Sequence, residues 1–357
     1  MKTVDEKISL IKDGTEEIIT LDELREIFIQ KKRPLVYWGF ECSGFIHIGL
    51  GLVTTRKMRH FITCGMKLIV LLADWHSWIN NKFGGDIEKI RLAGEYFRHS
   101  FTALGVKGES VEYIWANDLV GEEGYWETLI KAAKSVSLKR VIRSLPIMGR
   151  REGEEIKEFA WLIYPLMQVT DIFMLNVDVA GAGIDQRKAH MLARDIAENL
   201  GFKKAIFIHT PLLPSLNYEV PKSKEEMIYS KMSKSKPETA IFIHDDEDTI
   251  RKKIRKGYCP PNQVDNNPFM YLYKIIIFPY IRDLNKEIVI NTRRGELVYS
   301  NYVDFEEDYK NGLMHPLDIK EAATYYLCEI LKPVINYFDY HSEILTEMYR
   351  IVGSKAT

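Results

Sequence analysis

The segment Lys231–Ser235 reads Lys-Met-Ser-Lys-Ser and places two ammonium groups and two hydroxyls within five residues. Lysine carries a compact positive charge with three donors, and each serine adds a hydroxyl donor. A mobile loop of this composition could close over a polyphosphate. Short stretches rich in lysine and serine are more often solvated surface loops, so this segment alone leaves both interpretations open.

The tripeptide His47-Ile48-Gly49 is a second candidate for phosphate chemistry. It lies where a β-type run has turned into a helical pattern. Glycine lets the backbone approach a ligand closely, and an imidazole at a helix N-terminus can donate to a phosphate oxygen. The tripeptide also occurs by chance in many chains. Its combination with Lys231–Ser235 is more specific and predicts a nucleotide site.

Three polar side chains recur at helical spacing between these two segments. Tyr164, Gln168 and Asp171 stand at i, i+4 and i+7, which puts a hydroxyl, an amide and a carboxylate on one face of a helix. Burying such groups among apolar neighbours without partners is costly, and a small polar ligand would supply the partners. The alternative is a helix cap or an exposed polar edge.

Strand patterns alternate with helix patterns from about residue 35 to residue 209. The strand patterns cover 35–40, 67–73, 111–116, 177–180 and 205–209, and the helix patterns cover 4–32, 86–104, 125–175 and 185–200, with a further one from about residue 46. Thr20 has the position of a helix N-cap, with Glu23 at the capping-box position. The alternation predicts an α/β fold with a Rossmann-like parallel sheet that carries helices on both faces.

The remaining sequence is mostly helical in pattern. Prolines punctuate the polar segment 211–230, an acidic run at 245–248 opens a basic helix, and 287–290 is a short β-like piece. We therefore predict three parts. They are a Rossmann-like catalytic domain with a helical insertion over 1–215, a loop or linker with the Lys-Met-Ser-Lys-Ser motif over 216–240, and a mainly helical domain over 241–357.

Composition limits the class of protein. The chain has 357 residues, 46% of them hydrophobic and 28% charged, and a formal net charge of −1, so any basic surface must be local. Its four cysteines include no CxxC spacing, which argues against a metal site and is typical of reduced cytosolic thiols. The N-terminus lacks the apolar core of a signal peptide, and no apolar run is long enough to span a bilayer. We expect a cytoplasmic protein with no membrane partner and no tightly bound metal.

The two phosphate candidates resemble the HIGH and KMSKS signatures of class I aminoacyl-tRNA synthetases. Further segments resemble archaeal-type tyrosyl-tRNA synthetases, in the order of that family and from about residue 5 to residue 340. They are Tyr37-Trp-Gly-Phe-Glu41 followed by Ser43-Gly44, Leu72-Ala-Asp-Trp-His-Ser-Trp-Ile79, Tyr164-Pro-Leu-Met-Gln168-Val-Thr-Asp171, Asp185-Gln186-Arg187-Lys188-Ala-His190 and His315-Pro-Leu-Asp318. The resemblance implies a homodimeric ligase that activates L-tyrosine with ATP, joins it to tRNA(Tyr), and reads the anticodon with its C-terminal helical domain.

The resemblance also implies roles for individual residues. The phenol of the substrate would be bound by Tyr37 and Asp171, and its α-amino group by Tyr164, Gln168 and Gln186, with Gly39 and Glu41 in the same pocket. ATP, accompanied by Mg²⁺, would be bound by Phe40, His47, Gly49, Lys231, Met232, Ser233, Lys234 and Ser235, of which His47, Gly49, Lys231 and Lys234 would serve catalysis. The acceptor stem of the tRNA would meet Arg143, Arg187 and Lys188, near Lys139 and Arg140, and the anticodon would meet His315 and Asp318. Solvated surface cations and an ordinary helix start are the alternatives for these tRNA positions.

The sequence departs from the family pattern in two places. Leu50 stands where the first signature usually has a second histidine, so the phosphate side of the site loses a donor. Arg293 and Arg294 stand where the family often has an aromatic residue that stacks on the anticodon, so stacking would come from a guanidinium or be lost.

Two other functions remain open at this point. A tryptophanyl enzyme of the same fold is one, although an indole does not need both Tyr37 and Asp171. A non-catalytic tRNA-binding paralogue is the other, and Leu50 favours it while the intact Lys231–Ser235 argues against it.

Overall fold

The computed structural model describes residues 2–151, 153–217 and 230–353. The chain groups into two compact units. The first comprises Met1–Gly44 and Thr54–Pro211, and the second comprises Phe45–Val53 and Leu212–Thr357.

The predicted domain limits at residues 215 and 240 stay a prediction. Phe45–Val53, which carries the first signature, belongs to the same unit as the C-terminal part of the chain. The middle of the predicted linker, 218–229 with Pro221, lies outside the described residues.

A six-stranded sheet forms the centre of the first unit, with the order β1-β6-β5-β2-β3-β4. Its strands are β1 (Glu17–Ile19), β2 (Leu35–Phe40), β3 (Lys67–Leu72), β4 (Val111–Trp115), β5 (Val179–Gly183) and β6 (Ile206–Thr210). All neighbouring pairs from β6 to β4 are parallel, whereas β1 runs antiparallel to β6. The predicted parallel α/β sheet is therefore confirmed, with an antiparallel edge strand added to it.

The edge strand β1 corrects the helical interpretation of residues 4–32. The first helix ends at Lys12, and Gly14 turns the chain with a φ of 67° before β1 begins. Ile18 then pairs with Ile208 of β6, so the sheet edge overrides the local helical pattern. The next helix starts after Thr20, whose side chain accepts from the N–H of Glu23 in the predicted capping box.

Helices of the first unit alternate with its strands. They are α1 (Val4–Lys12), α2 (Leu21–Gln30), α3 (Ile48–Thr63, whose first turns belong to the second unit), α4 (Asp74–Ile79), α5 (Ile87–Ala103), α6 (Ala116–Val120), α7 (Tyr125–Lys134), α8 (Leu138–Ile142), α9 (Ala160–Met174) and α10 (Arg187–Ile196). The predicted helical block 125–175 is thus broken into α7, α8, a short 3₁₀ turn at Leu145–Met148 and α9. Pro146 and Gly149, which has a φ of 82°, interrupt it.

The second unit is mainly helical, as predicted. Its helices after α3 are α11 (Glu247–Lys256), α12 (Pro268–Leu272), α13 (Phe278–Asp283), α14 (Tyr302–Lys310), α15 (Pro316–Tyr340) and α16 (Ser342–Val352). A hairpin of β7 (Ile288–Thr292) and β8 (Gly295–Tyr299) interrupts them. The β-like piece at 287–290 predicted β7 but not its partner. Within the described ranges, no helix is both long and apolar enough to cross a membrane.

Candidate active site

Tyr37 projects from β2 into the buried interior of the first unit. Its hydroxyl fills the space beside Gly39, because a Cβ atom at Gly39 would lie 2.4 Å from it. Burial and the negative charge of Asp171 raise the pKa of Tyr37 well above its usual value. The hydroxyl therefore stays protonated and can donate a hydrogen bond. Phe40, on the same strand, is buried, and the centre of its ring lies 4.6 Å from that of Phe101.

Asp171 lies on α9 with no exposed surface. Its Oδ1 atom accepts a hydrogen bond of 2.7 Å from the hydroxyl of Tyr125, the first residue of α7. Its Oδ2 atom lies 3.2 Å from Nε2 of His76 but has no well-aligned hydrogen bond among the described residues. Within the described residues, one buried oxygen of this carboxylate thus lacks the hydrogen-bond partner that such groups ordinarily have.

Glu41 follows β2 and is held from several sides. Its Oε1 atom accepts from the side-chain amide of Asn80 at 2.6 Å and from the hydroxyl of Tyr164 at 3.5 Å. Its Oε2 atom lies 3.1 Å from Nζ of Lys82. The same amide of Asn80 also donates to the carbonyl of Met148 at 3.0 Å. Glu41 is therefore the common acceptor of Asn80 and of Tyr164, which lies in the N-terminal part of α9.

The remaining predicted pocket residues belong to α9 and to the turn before α10. Gln168 is half-buried on α9, on the same face as Tyr164 and Asp171, which confirms their shared helix. Gln186 is also half-buried, and its amide donates to the carbonyl of Ile147 at 3.1 Å. The first unit thus brings a line of polar side chains onto one helix face.

Sequence reasoning missed four residues of this network: Tyr125, His76, Asn80 and Lys82. Their contacts depend on how α4, the turn after it and α7 pack against β2 and α9. Tyr125 stands 46 residues from Asp171, and no local spacing signals that contact. His76 was part of a family-like segment, but nothing in the segment indicates its orientation.

His47 lies in the second unit, directly before α3. Its backbone forms an antiparallel bridge with Phe242, and Nδ1 of its ring accepts from the N–H of Leu50 at 3.2 Å. Burial and the positive charges of Lys234 and Lys231 lower the pKa of His47 to about 3. The ring is therefore neutral near pH 7 and carries its proton on Nε2, which makes Nε2 a donor.

Gly49 leaves room for that imidazole. A Cβ atom at Gly49 would lie 3.1 Å from Nδ1 of His47 and 3.0 Å from Cβ of Leu213. Leu50, where the family pattern has its second histidine, contributes a backbone N–H to Nδ1 of His47. Its apolar side chain adds no donor to this turn.

The segment Lys231–Ser235 forms neither helix nor regular strand. Its first residues are held by the backbone, because Lys231 bridges Pro214 and the N–H of Met232 donates to the carbonyl of Leu213 at 2.7 Å. Met232 is buried and anchors the segment. Ser233 and Ser235 approach each other with their hydroxyls 3.0 Å apart. Both lysines are half-buried and close enough to His47 to affect its pKa.

The cations predicted to meet the acceptor stem lie on α8 and α10 of the first unit. Arg143 is exposed at the end of α8, and Arg140 pairs with Asp195 of α10. Nε of Arg187 donates to both oxygens of Glu17, at 2.8 and 3.0 Å. Lys139 is exposed and Lys188 is half-buried.

The predicted anticodon positions have a structural task of their own. His315 is the N-cap of α15: its Nδ1 accepts from the N–H of Leu317 at 3.2 Å, and its own N–H donates to Asp318 at 2.9 Å. This is the helix-start alternative, and it leaves the exposed imidazole of His315 available at the surface. Arg293 and Arg294 are exposed in the turn between β7 and β8.

Metal-binding groups are sparse in the part of the chain that the structure describes. No three His, Cys, Asp or Glu side chains there lie together as ligands of a metal ion.

Comparison with known proteins identifies the family of the chain. A family model described as tRNA synthetases class I (W and Y) matches residues 30–332. A tyrosine–tRNA ligase from Picrophilus torridus is 45% identical over 333 residues, which cover 92% of this chain and 97% of that protein.

Two solved structures are also similar over nearly the whole chain. The tyrosyl-tRNA synthetase of Pyrococcus horikoshii, complexed with L-tyrosine, has a TM-score of 0.90 and 39% identity, and the match covers 98% of this chain and 100% of that one. The tyrosyl-tRNA synthetase of Aeropyrum pernix has a TM-score of 0.87 and 40% identity, with 98% and 99% covered. The chain described here therefore belongs to the tyrosine–tRNA ligases, within the class I tRNA synthetase family (W and Y).

Proposed function

We propose that this chain activates L-tyrosine with ATP and transfers the tyrosyl group to the 3′ end of tRNA(Tyr). The proposal depends on the buried carboxylate of Asp171, which lies near the protonated hydroxyl of Tyr37. Oδ2 of this carboxylate lacks an aligned donor among the described residues. A phenol hydroxyl both donates and accepts, so it satisfies both groups at once. Phenylalanine would leave both groups unpaired.

The other end of the substrate meets polar groups on α9 and near α10. Tyr164, held by Glu41, together with Gln168 and Gln186, offers oxygen acceptors to an α-ammonium group. Gly39 keeps the pocket open for the hydroxyl of Tyr37. The roles of Tyr164 and Gln168 rest on their shared helix face, and those of Gln186 and Gly39 rest on the resemblance to the family.

The activation step joins the carboxylate of tyrosine to the α-phosphorus of ATP and releases pyrophosphate. Nε2 of His47 donates to a phosphate oxygen, and Gly49 lets the backbone come close to the nucleotide. Lys231 and Lys234 stabilise negative charge on the β- and γ-phosphates, and Ser233 and Ser235 add hydroxyl donors. Mg²⁺ enters bound to ATP as part of the substrate. The proposed roles of Phe40 and Met232 in nucleotide binding rest on the resemblance to the family.

A tryptophanyl activity is the alternative within the same family. An indole N–H donates to a carboxylate but accepts nothing, so it would leave the hydroxyl donor of Tyr37 without a partner. The paired Tyr37 and Asp171 therefore favour tyrosine.

The test of the proposal is charging of tRNA. The purified chain, incubated with ATP, Mg²⁺, radiolabelled L-tyrosine and a transcript of tRNA(Tyr), should form acid-precipitable tyrosyl-tRNA. A tRNA(Trp) transcript with labelled L-tryptophan is the matched control and should stay uncharged. Activation without transfer to tRNA(Tyr) would contradict the second half of the proposal.

Transfer requires binding of the tRNA at both of its ends. Arg143, Arg187 and Lys188 supply positive charge for the acceptor stem, and Glu17 fixes the direction of Arg187. The exposed ring of His315 and the carboxylate of Asp318 supply hydrogen bonds for the anticodon. The exposed Arg293 and Arg294 offer guanidinium planes for stacking in place of an aromatic residue.

We propose further that the chain forms a homodimer through α7 and α8, and that it acts in the cytoplasm. Trp126 and Ile130 are exposed one turn apart on α7, and Leu138 and Ile142 are exposed one turn apart on α8. Large apolar side chains exposed together along a helix face are typical of protein interfaces.

The dimer can be tested by charge substitution. Replacing both Ile130, which is 55% exposed, and Leu138, which is 62% exposed, with glutamate should convert the dimer to a monomer in sedimentation velocity at micromolar concentration. Ile29→Glu is the matched control, since Ile29 is 68% exposed on α2. A dimer in the double variant, or a monomer in the control, would place the interface elsewhere.

Gly39 gives a test of the pocket geometry. Gly39→Ala would bring a Cβ atom to 2.4 Å from the hydroxyl of Tyr37, so the ring must shift away from its place beside Asp171. We expect the KM for L-tyrosine in pyrophosphate exchange to rise by about 10-fold or more, in keeping with overpacking costs of about 1–3 kcal/mol. Gly121→Ala, where the nearest atoms to a Cβ are 3.5 Å away, should leave the KM unchanged. A normal KM in Gly39→Ala would show that Tyr37 is not held where the substrate binds.

A further inference from the structure

The two oxygens of Asp171 have different surroundings. Oδ1 accepts from the hydroxyl of Tyr125 at 2.7 Å, whereas Oδ2 faces Nε2 of His76 at 3.2 Å without an aligned hydrogen bond among the described residues. Asp171 and Tyr125 have no exposed surface, and His76 is 4% exposed. Water therefore has little access from these sides, and the contacts of the carboxylate are set by protein groups.

Tyr125 can act on Asp171 only as a donor. A carboxylate has no proton to give, so the hydrogen bond of 2.7 Å runs from the hydroxyl to Oδ1. Burial and the charge of Asp171 raise the pKa of Tyr125 far above its usual value, so this donor is not lost by ionisation. The buried residues Leu129 and Ala132 place α7 in the core that also contains residues of α9. Tyr125 is thus a fixed donor aimed at one oxygen.

His76 restricts rotation of the Asp171 carboxylate, because Nε2 of His76 lies 3.2 Å from Oδ2. It projects from α4, and its ring meets that of Tyr164 edge to face, with the ring centres 5.0 Å apart. The torsion that turns a carboxylate about its Cβ–Cγ bond is intrinsically broad, so the orientation of Asp171 must be set by its neighbours. Tyr125 donates to Oδ1, and the ring of His76 restricts the rotation that would move Oδ2.

We propose that Tyr125, assisted by His76, is a positioning residue for amino-acid specificity: it occupies Oδ1 of Asp171 and so presents Oδ2 as the acceptor for the phenol hydroxyl of the substrate. The inference rests on the proposed function, since the ligand is L-tyrosine. Without the hydroxyl of Tyr125, the carboxylate has two unfilled oxygens and can turn or take up water. Tyrosine then loses a well-placed acceptor, while phenylalanine meets a weaker penalty.

The test compares Tyr125→Phe with Tyr113→Phe in pyrophosphate exchange with L-tyrosine and with L-phenylalanine. Each variant removes one hydroxyl from the first unit. The hydroxyl of Tyr125 is buried, whereas Tyr113 is half-buried and donates to the carbonyl of Val106 at 2.8 Å. In Tyr125→Phe, the ratio of kcat/KM for tyrosine over phenylalanine should fall by about 5- to 100-fold, mainly through the KM for tyrosine. In Tyr113→Phe the ratio should stay at the wild-type value.

Different outcomes test the proposed activation of tyrosine and the positioning role of Tyr125. Wild-type protein that does not activate tyrosine at all contradicts the proposed function. Active wild-type protein whose ratio is unchanged by Tyr125→Phe overturns the inference, and so does a lower kcat for both amino acids at an unchanged ratio, which would indicate a merely structural role. If Tyr125→Phe does not fold, His76→Ala removes the ring that restricts Oδ2; its ratio should fall, and an unchanged ratio overturns the inference.

Discussion

Replacing Asp171 with alanine should remove most of the discrimination between L-tyrosine and L-phenylalanine. The carboxylate is fully buried, and its Oδ2 has no aligned donor among the described residues, so a ligand without a hydroxyl pays the cost of an unpaired buried charge. Enzymes of this kind are the known example of such selection, at about 10⁵-fold. We expect the ratio of kcat/KM for the two amino acids, measured by pyrophosphate exchange, to fall by at least about 10²-fold.

Asp171→Asn is the companion variant for this prediction. It keeps the size of the side chain and one acceptor oxygen but removes the charge, so its ratio should lie between those of the wild type and Asp171→Ala. Thermal unfolding of both variants checks that the first unit is intact. Unchanged selectivity in a folded Asp171→Ala protein would remove Asp171 from the phenol site and with it the basis for tyrosine specificity.

The second large effect is expected at Lys231 and Lys234. Either lysine replaced with alanine should lower the rate of tyrosyl-adenylate formation by about 10²- to 10³-fold, because each stabilises charge that develops on the phosphates in the transition state. The dissociation constant for L-tyrosine alone, measured by calorimetry, should not change. We expect an effect at the upper end of this range, because Leu50 leaves the first signature without its second histidine.

Lys236→Ala is the matched control for the two lysines. Lys236 is exposed in the same loop, two residues after Lys234, and lies outside the proposed phosphate contacts. Its removal changes the net charge by the same amount, so an equal loss of rate in all three variants would indicate a general electrostatic effect and contradict specific roles for Lys231 and Lys234.

Local sequence patterns predicted much of the central sheet. The apolar run 35–40 matches β2 (Leu35–Phe40) because a buried parallel strand needs apolar side chains on both faces. The capped helix start at Thr20 is also confirmed, since a cap is specified by residues three positions apart. By contrast, β1 was missed, because three residues at a sheet edge are defined by their partner, β6.

The candidate site likewise contains residues that local spacing could predict and residues that it could not. Residues that share one helix face, such as Tyr164, Gln168 and Asp171, could be grouped by their spacing alone. Tyr125 could not, because its contact with Asp171 depends on the packing of α7 against α9. His315 is different again, because a local pattern gives it a structural role as a helix cap in addition to its proposed contact with tRNA.

The most direct test of tyrosine specificity is pyrophosphate exchange by the wild-type protein with each of the standard amino acids in turn. The proposed specificity for tyrosine predicts ATP-dependent exchange with L-tyrosine, and exchange with L-phenylalanine and L-tryptophan lower by several orders of magnitude. Exchange with L-tryptophan but not with L-tyrosine, or with no amino acid despite binding of tRNA(Tyr), would contradict it.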